Sequence, residues 1–336
     1  VKKFIKFGIG VLSCCLLTSV INMQFDTWVF QHYFLTNIIY IYGWYLIVRL
    51  AVNNGLRLEE IFHLVVFSIV INNTIALMYF IAPTFSSILL SLQEMSFSYS
   101  DSEIVSRLYG IGMAGTNYGG GVSTSIALIL TMYLLYKKYL REGAAILVYI
   151  YLTFSGMLIA RTTMVGVCAS LLGYAFLLNN IFKAIKFTVP ILVLFLCVVI
   201  YFMISWKDTL LFEHTFALFL NYFNGDGFTD GSMDVLLERH WAVMPDNFKT
   251  WLLGDGHLTD GAGYYKHTDV GYLRSIFCIG ICGTAYYWIG LLSTTVSSLK
   301  HVRSEKDIMK LFFIFYIFIL VLNAKGLSDD LAHVFW

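Results

Sequence analysis

The chain has 336 residues, of which 58% are hydrophobic and 13% charged, and its mean hydropathy is +0.74. Soluble domains are roughly 45–50% apolar and about 25% charged, so this composition excludes one. A net charge of +1 provides no electrostatic footprint for nucleic acid. The remaining class is a polytopic membrane protein, whose crossings must be helices because no backbone polar group can stay unbonded in hydrocarbon.

In chain order the apolar runs predict membrane helices over 4–21, 33–50, 61–81, 119–136, 144–160, 162–179, 187–206, 270–298 and 308–323. The first run follows Lys2 and Lys3 and imitates a signal peptide, but Leu12 fits a cleavage site poorly, and a first membrane helix is the better reading. A chain that starts at Val1 fits an alternative start codon or a fragment, and Leu331–Trp336 could open a tenth helix. With the N-terminus in the cytoplasm, Lys2, Lys3, Lys6, Arg49, Arg57, Lys137, Lys138, Arg141, Lys183, Lys186, Lys300, Arg303, Lys306 and Lys310 all fall on that side. Every cytoplasmic connection is then short and basic, as the positive-inside rule demands. The expected fold class is all-α, a polytopic integral membrane protein with about nine to ten transmembrane helices. It forms one membrane domain over 1–336, with a large outer loop at 207–269 inserted between helices.

Chemistry-bearing residues are sparse inside these runs. All six cysteines lie in apolar segments, which gives no disulfide framework and no metal-ligand spacing. His63 reads as a packing residue, and no carboxylate stands at mid-span as a proton-coupled carrier would require. Arg161 is a permanent charge in otherwise nearly charge-free sequence from Ala144 to Asn179. It marks either a tight turn between two membrane helices or a grip on an anionic lipid head group. The polar material gathers in two outer loops. One, near 82–118, holds Asp101, Glu103, Arg107 and the glycine-rich Gly110–Gly121. The other, 207–269, runs from Asp208 through Arg239, His240 and Trp241 to His267 and Asp269. Loops of this length tend to be binding loops or lids, and Asp234–Val243 could form a short amphipathic helix on the bilayer surface. Arg107, Arg161, Arg239 and Arg274 share the outer side, a set able to clamp a lipid pyrophosphate, although any one of them could simply snorkel to the interface.

Three stretches resemble the O-antigen polymerase (Wzy-type) and O-antigen ligase superfamily of bacterial envelope proteins. They are Arg107-Leu-Tyr-Gly110 with Gly115-Thr-Asn117-Tyr-Gly119; Ser155-Gly156 with Arg161-Thr-Thr; and Leu252-Leu-Gly254-Asp-Gly256 with His267-Thr-Asp269-Val-Gly271-Tyr and Gly280-Ile-Cys-Gly283. The resemblance covers roughly residues 105–290, and the large loop before the last long helix is similar to the family's.

The resemblance implies a metal-independent, cofactor-free glycosyltransferase in the bacterial inner membrane, with its site facing the periplasm and 207–269 as the large periplasmic loop. Its substrate would be an undecaprenyl-pyrophosphate-linked oligosaccharide, polymerised into O-antigen or a related surface polysaccharide. Membrane lipids would surround it, and a chain-length regulator and a flippase of the same pathway are the partners it suggests; nucleic acid is not among them. Catalytic roles would fall to His267, Asp269 and Arg161. Arg107, Arg274, Arg239, His240 and Asn117 would bind pyrophosphate or glycan. His267 would be the base or an acceptor-orienting group, and Asp269 could take the proton itself or orient His267. The pattern His267-Thr-Asp269-Val-Gly271-Tyr favours the polymerase over the ligase branch. A lipid-linked oligosaccharide flippase is the alternative from a different class, and would predict polar residues at mid-span.

Overall fold

The computed structural model describes residues 2–82, 108, 117–206, 231–260, 263–299 and 306–327, with a few isolated positions between 209 and 225. The described chain is 82% helical, and its only strands are two residues each. The elements are α1 (Lys2–Asn22), α2 (Thr27–Phe30) running into a π-turn (Gln31–Thr36), α3 (Asn37–Asn53), α4 (Leu58–Ile81), α5 (Asn117–Tyr136), α6 (Glu142–Ile159), α7 (Thr163–Leu178) and α8 (Ile181–Trp206). There follow α9 (Gly231–Asp234) with a π-turn (Val235–His240), α10 (Phe248–Leu253), β1 (Thr259–Asp260), β2 (Gly263–Tyr264), a 3-10 turn (Tyr265–His267), α11 (Gly271–Leu299) and α12 (Lys306–Leu322). A helix thus occupies each of the nine apolar segments. Six are long and apolar enough to cross a membrane: Ile5–Asn22, Leu58–Met78, Tyr118–Tyr136, Glu142–Ile159, Phe182–Phe202 and Gly271–Ser297. The fold is that of an all-α, multi-pass membrane protein.

The chain divides into two compact units, Val1–Asn53 with Asp230–Trp336, and Asn54–Thr229. In the second unit α5 is the hub, with 83% of its span buried against 6% for Phe182–Phe202 of α8, whose apolar side chains face outward as a lipid-contacting helix requires. Small residues let the helix backbones approach. A Cβ on Gly156 would stand 2.5 Å from Thr124 Cγ2 and 2.7 Å from Thr163 Cγ2, and one on Gly166 would collide with Ser125. In hydrocarbon, close van der Waals approach and interhelical hydrogen bonds replace the hydrophobic effect as the glue. Asn73, fully buried on α4, supplies two such bonds, donating from Nδ2 to Thr124 Oγ1 (3.2 Å) and to Ser155 Oγ (2.9 Å). His63 lies against the Tyr139 ring at 5.6 Å, the packing role its position predicts.

In the first unit α11 packs on α1 and, through its N-terminal end, on the C-terminal end of α12. Gly271 sits where a Cβ would come within 2.5 Å of Asn323 Oδ1, and Tyr272 donates from its hydroxyl to Leu320 O (2.5 Å). Leu236, Trp241 and Val243, from the segment read as amphipathic, pack on Val270, Leu273 and Phe277, and Leu237 points outward.

Candidate functional site

The site of the first unit is organised by a break in α11. At Gly280 the backbone turns to φ +66°, ψ +175°, which is not helical. The turn after α10 fills the gap: Asp255 N–H donates to Phe277 O (2.6 Å) and Gly256 N–H to Cys278 O (3.1 Å). Carbonyls released from the helix ladder are thereby satisfied by another backbone, the condition for a broken helix at membrane depth. The approach is tight enough to require glycine on both sides. A Cβ on Gly254 would lie 2.6 Å from Gly280 N, and one on Gly280 would overlap Leu252 O. Gly254 and Gly256 also hold positive φ, +78° and +76°.

Side chains from α1 and the link after it brace this turn. Thr18 Oγ1 donates to Leu253 O (2.8 Å) and Asn22 Nδ2 to Gly254 O (3.1 Å). Asp26 accepts Trp28 N–H at the start of α2 and, with its other oxygen, Leu258 N–H (2.9 Å). The Asp255 carboxylate accepts the Thr250 hydroxyl (2.6 Å) and the Tyr265 hydroxyl (3.3 Å). Burial, reinforced by that carboxylate, pushes the Tyr265 phenol up to about 12, so it stays a neutral donor across physiological pH. The His257 ring stacks on Tyr265 at 5.1 Å.

Beside this frame lie the expected site residues of the third motif. His240 closes the π-turn and meets Asp269. Its Nε2 is 3.6 Å from Asp269 Oδ2, and its Nδ1 is 3.1 Å from the Asp269 N–H and 3.0 Å from His267 O. Thr268 Oγ1 donates to His240 O (2.9 Å). The Arg274 guanidinium lies over the Tyr264 ring at 3.7 Å, inside the cation–π range. Its Nε is buried without a hydrogen-bond partner among the described residues. The His267 side chain is exposed and makes no ring hydrogen bond among the described residues; its backbone and that of Lys266 take positive φ, +53° and +58°. Asp269 therefore pairs with His240 and not with His267. Arg239 is exposed on the π-turn.

In the second unit Arg161 stands in the three-residue turn between α6 and α7, half-buried. Its carbonyl accepts Met164 N–H (2.9 Å), and the turn rests on Gly121, where a Cβ would come within 2.7 Å of Ala160 Cβ. Leu108 is buried in the same corner and donates its N–H to Leu158 O (3.3 Å). Asn117 opens α5. Arg107 lies outside the described residues.

Sequence reasoning named the residues of the third motif but missed Asp26, Asp255 and Tyr265 as organisers. The acidic residue inside a Gly-x-Gly turn was the available signal. Among the described residues no group of three or more His, Cys, Asp or Glu could hold a metal ion. Comparison with known protein families, with curated proteins and with solved structures finds no match.

Proposed function

We propose that this chain is a membrane-embedded glycosyltransferase that polymerises undecaprenyl-pyrophosphate-linked repeat units into a surface polysaccharide of the O-antigen type. On this reading the nine apolar helices all cross the bacterial inner membrane, the N-terminus is cytoplasmic, and 207–269 is a periplasmic loop. The observation that carries it is the docking of the Leu252–Gly256 turn into the Gly280 break, two segments of the third motif far apart in sequence. That junction supports His240, Asp269, Arg274 and Tyr264 at one end of α11. A cation held over an aromatic ring, next to an exposed carboxylate paired with an imidazole, suits transfer to a hydroxyl from an anionic leaving group. Arg274 would neutralise developing pyrophosphate charge and His267 or Asp269 would serve the acceptor hydroxyl, while Arg161 and Arg107 keep the phosphate-binding roles that their motifs imply.

The test is the surface-polysaccharide profile of a deletion strain complemented with wild type or Arg161→Ala. Wild type should restore a ladder of long chains, while Arg161→Ala, at equal protein level, should leave a single repeat unit on the core. A normal ladder from the variant would remove Arg161 from the mechanism, and an unchanged profile in the deletion strain would sink the polymerase reading.

A further inference from the structure

We propose that His240 is a positioning residue that holds the Asp269 carboxylate as the proton acceptor of the transfer, with His267, whose exposed ring has no hydrogen bond among the described residues to orient it, outside the proton path. This rests on the glycosyl-transfer reading given above. A general base must turn a free lone pair toward the acceptor hydroxyl. His240 turns both ring nitrogens toward protein groups: Nδ1 lies between His267 O (3.0 Å) and the Asp269 N–H (3.1 Å), and Nε2 faces Asp269 Oδ2 at 3.6 Å. One nitrogen cannot both donate to His267 O and accept from Asp269. The neutral tautomer that accepts the Asp269 N–H carries its proton on Nε2, aimed at the carboxylate. In that form the ring accepts the Asp269 N–H and points its Nε2 proton toward the carboxylate at ion-pair distance.

Asp269 has the complementary properties. Its side chain is 52% exposed against 19% for His240, so Oδ2 faces the ring while the rest of the carboxylate is open to a substrate. Its backbone is fixed on both flanks: Thr268 Oγ1 donates to His240 O and accepts Val270 N–H (3.3 Å), and Val270 is fully buried. In the transfer step the acceptor hydroxyl oxygen forms a bond to the anomeric carbon of the donor glycan. The bond from that carbon to the pyrophosphate oxygen breaks, and its electron pair leaves with undecaprenyl pyrophosphate. The hydroxyl proton passes to Asp269, which later releases it to water.

The experiment uses membranes from the complemented deletion strain and the lipid-linked single repeat unit that the deletion strain accumulates. Asp269→Ala should lose about 10²- to 10⁴-fold in rate, the usual contribution of a general base, and formate should restore part of it. Asp269→Asn should be equally slow and insensitive to formate, because its amide fills the space. His240→Gln should lower kcat about 10- to 100-fold, as the loss of an orienting partner does, with KM unchanged. Imidazole should restore nothing to His267→Ala. A formate-insensitive Asp269→Ala, or recovery of His267→Ala by imidazole, would overturn the assignment. If wild-type membranes make no polymer at all, the glycosyltransferase reading itself fails; if they do and Asp269→Ala keeps its rate, only the base assignment fails.

Discussion

Gly280 and Gly254 meet where neither has room for a side chain: a Cβ on Gly254 would meet Gly280 N, and one on Gly280 would overlap Leu252 O. The φ and ψ of Gly280 fall in a region open essentially to glycine alone, where any other residue costs about 1–3 kcal/mol in strain. Overlap with Leu252 O adds about 1–3 kcal/mol more. Gly280→Ala should therefore lower the thermal stability of the purified protein sharply and release the Leu252–Gly256 turn. Gly8→Ala is the control, since a Cβ there meets nothing within 4 Å, and alanine in a helix interior gains about 1 kcal/mol over glycine. Equal melting temperatures for the two variants would show that the Gly280 junction contributes nothing. Polar residues at this scale follow the same logic. Asp26 joins the start of α2 to Leu258, so a single carboxylate ties the end of the first helix to the loop that carries the site.

Among elements, the α5–α7 contact shows how small residues replace hydrophobic drive inside a membrane. Gly166 of α7 rests on Ser125 of α5, and Ser125 turns its hydroxyl back to Gly121 O (2.7 Å). Gly166→Ala should separate the two helices at a cost of about 1–3 kcal/mol. Pairing it with Ser125→Gly should recover part of that loss, a coupling expected only of residues in contact. Unfolding of the two single variants and the double variant in detergent measures it, and simple additivity would count against the contact. The helices themselves were legible in the sequence, because runs of apolar residues about 20 long carry their own length signal. The break at Gly280, the early start of the second helical segment at Thr27 and the His240–Asp269 pairing were not. Each depends on a partner far away in sequence: Leu252 for Gly280, Leu258 for Asp26, and for His240 a residue on the other side of a hairpin. Hydropathy reads along the chain and is silent about such partners. Glycine spacing and isolated acids flagged the right neighbourhood, and only the packing assigned His240 to Asp269.

For the whole molecule, the distribution of Lys and Arg makes a claim about sidedness that helix positions alone do not. Lys138 occupies the short turn after α5, and Thr259 the hairpin after α10. Under the topology proposed here the two lie on opposite faces of the membrane. In a cysteine-free background, Thr259→Cys should react with a membrane-impermeant maleimide added to spheroplasts, while Lys138→Cys should react only after the membrane is opened. The reverse pattern would invert the topology and move the His240–Asp269 cluster to the cytoplasm, where a periplasmic polymer could not be built.

The interruption at Gly280 also bears on how the protein meets bilayers of unequal thickness. It divides α11 into a stub, Gly271–Ile279, and a rod, Ile281–Leu299. At 1.5 Å per residue the rod is roughly 28 Å long, close to the hydrocarbon thickness by itself. A rod of that length answers thicker or thinner lipid by tilting. The stub carrying Arg274 takes its orientation instead from Asp255, Gly256 and the end of α12, through hydrogen bonds that do not lengthen or shorten with the lipid. Gly280 thus divides α11 into a segment aimed by protein contacts, which carries Arg274, and a segment long enough by itself to span the hydrocarbon.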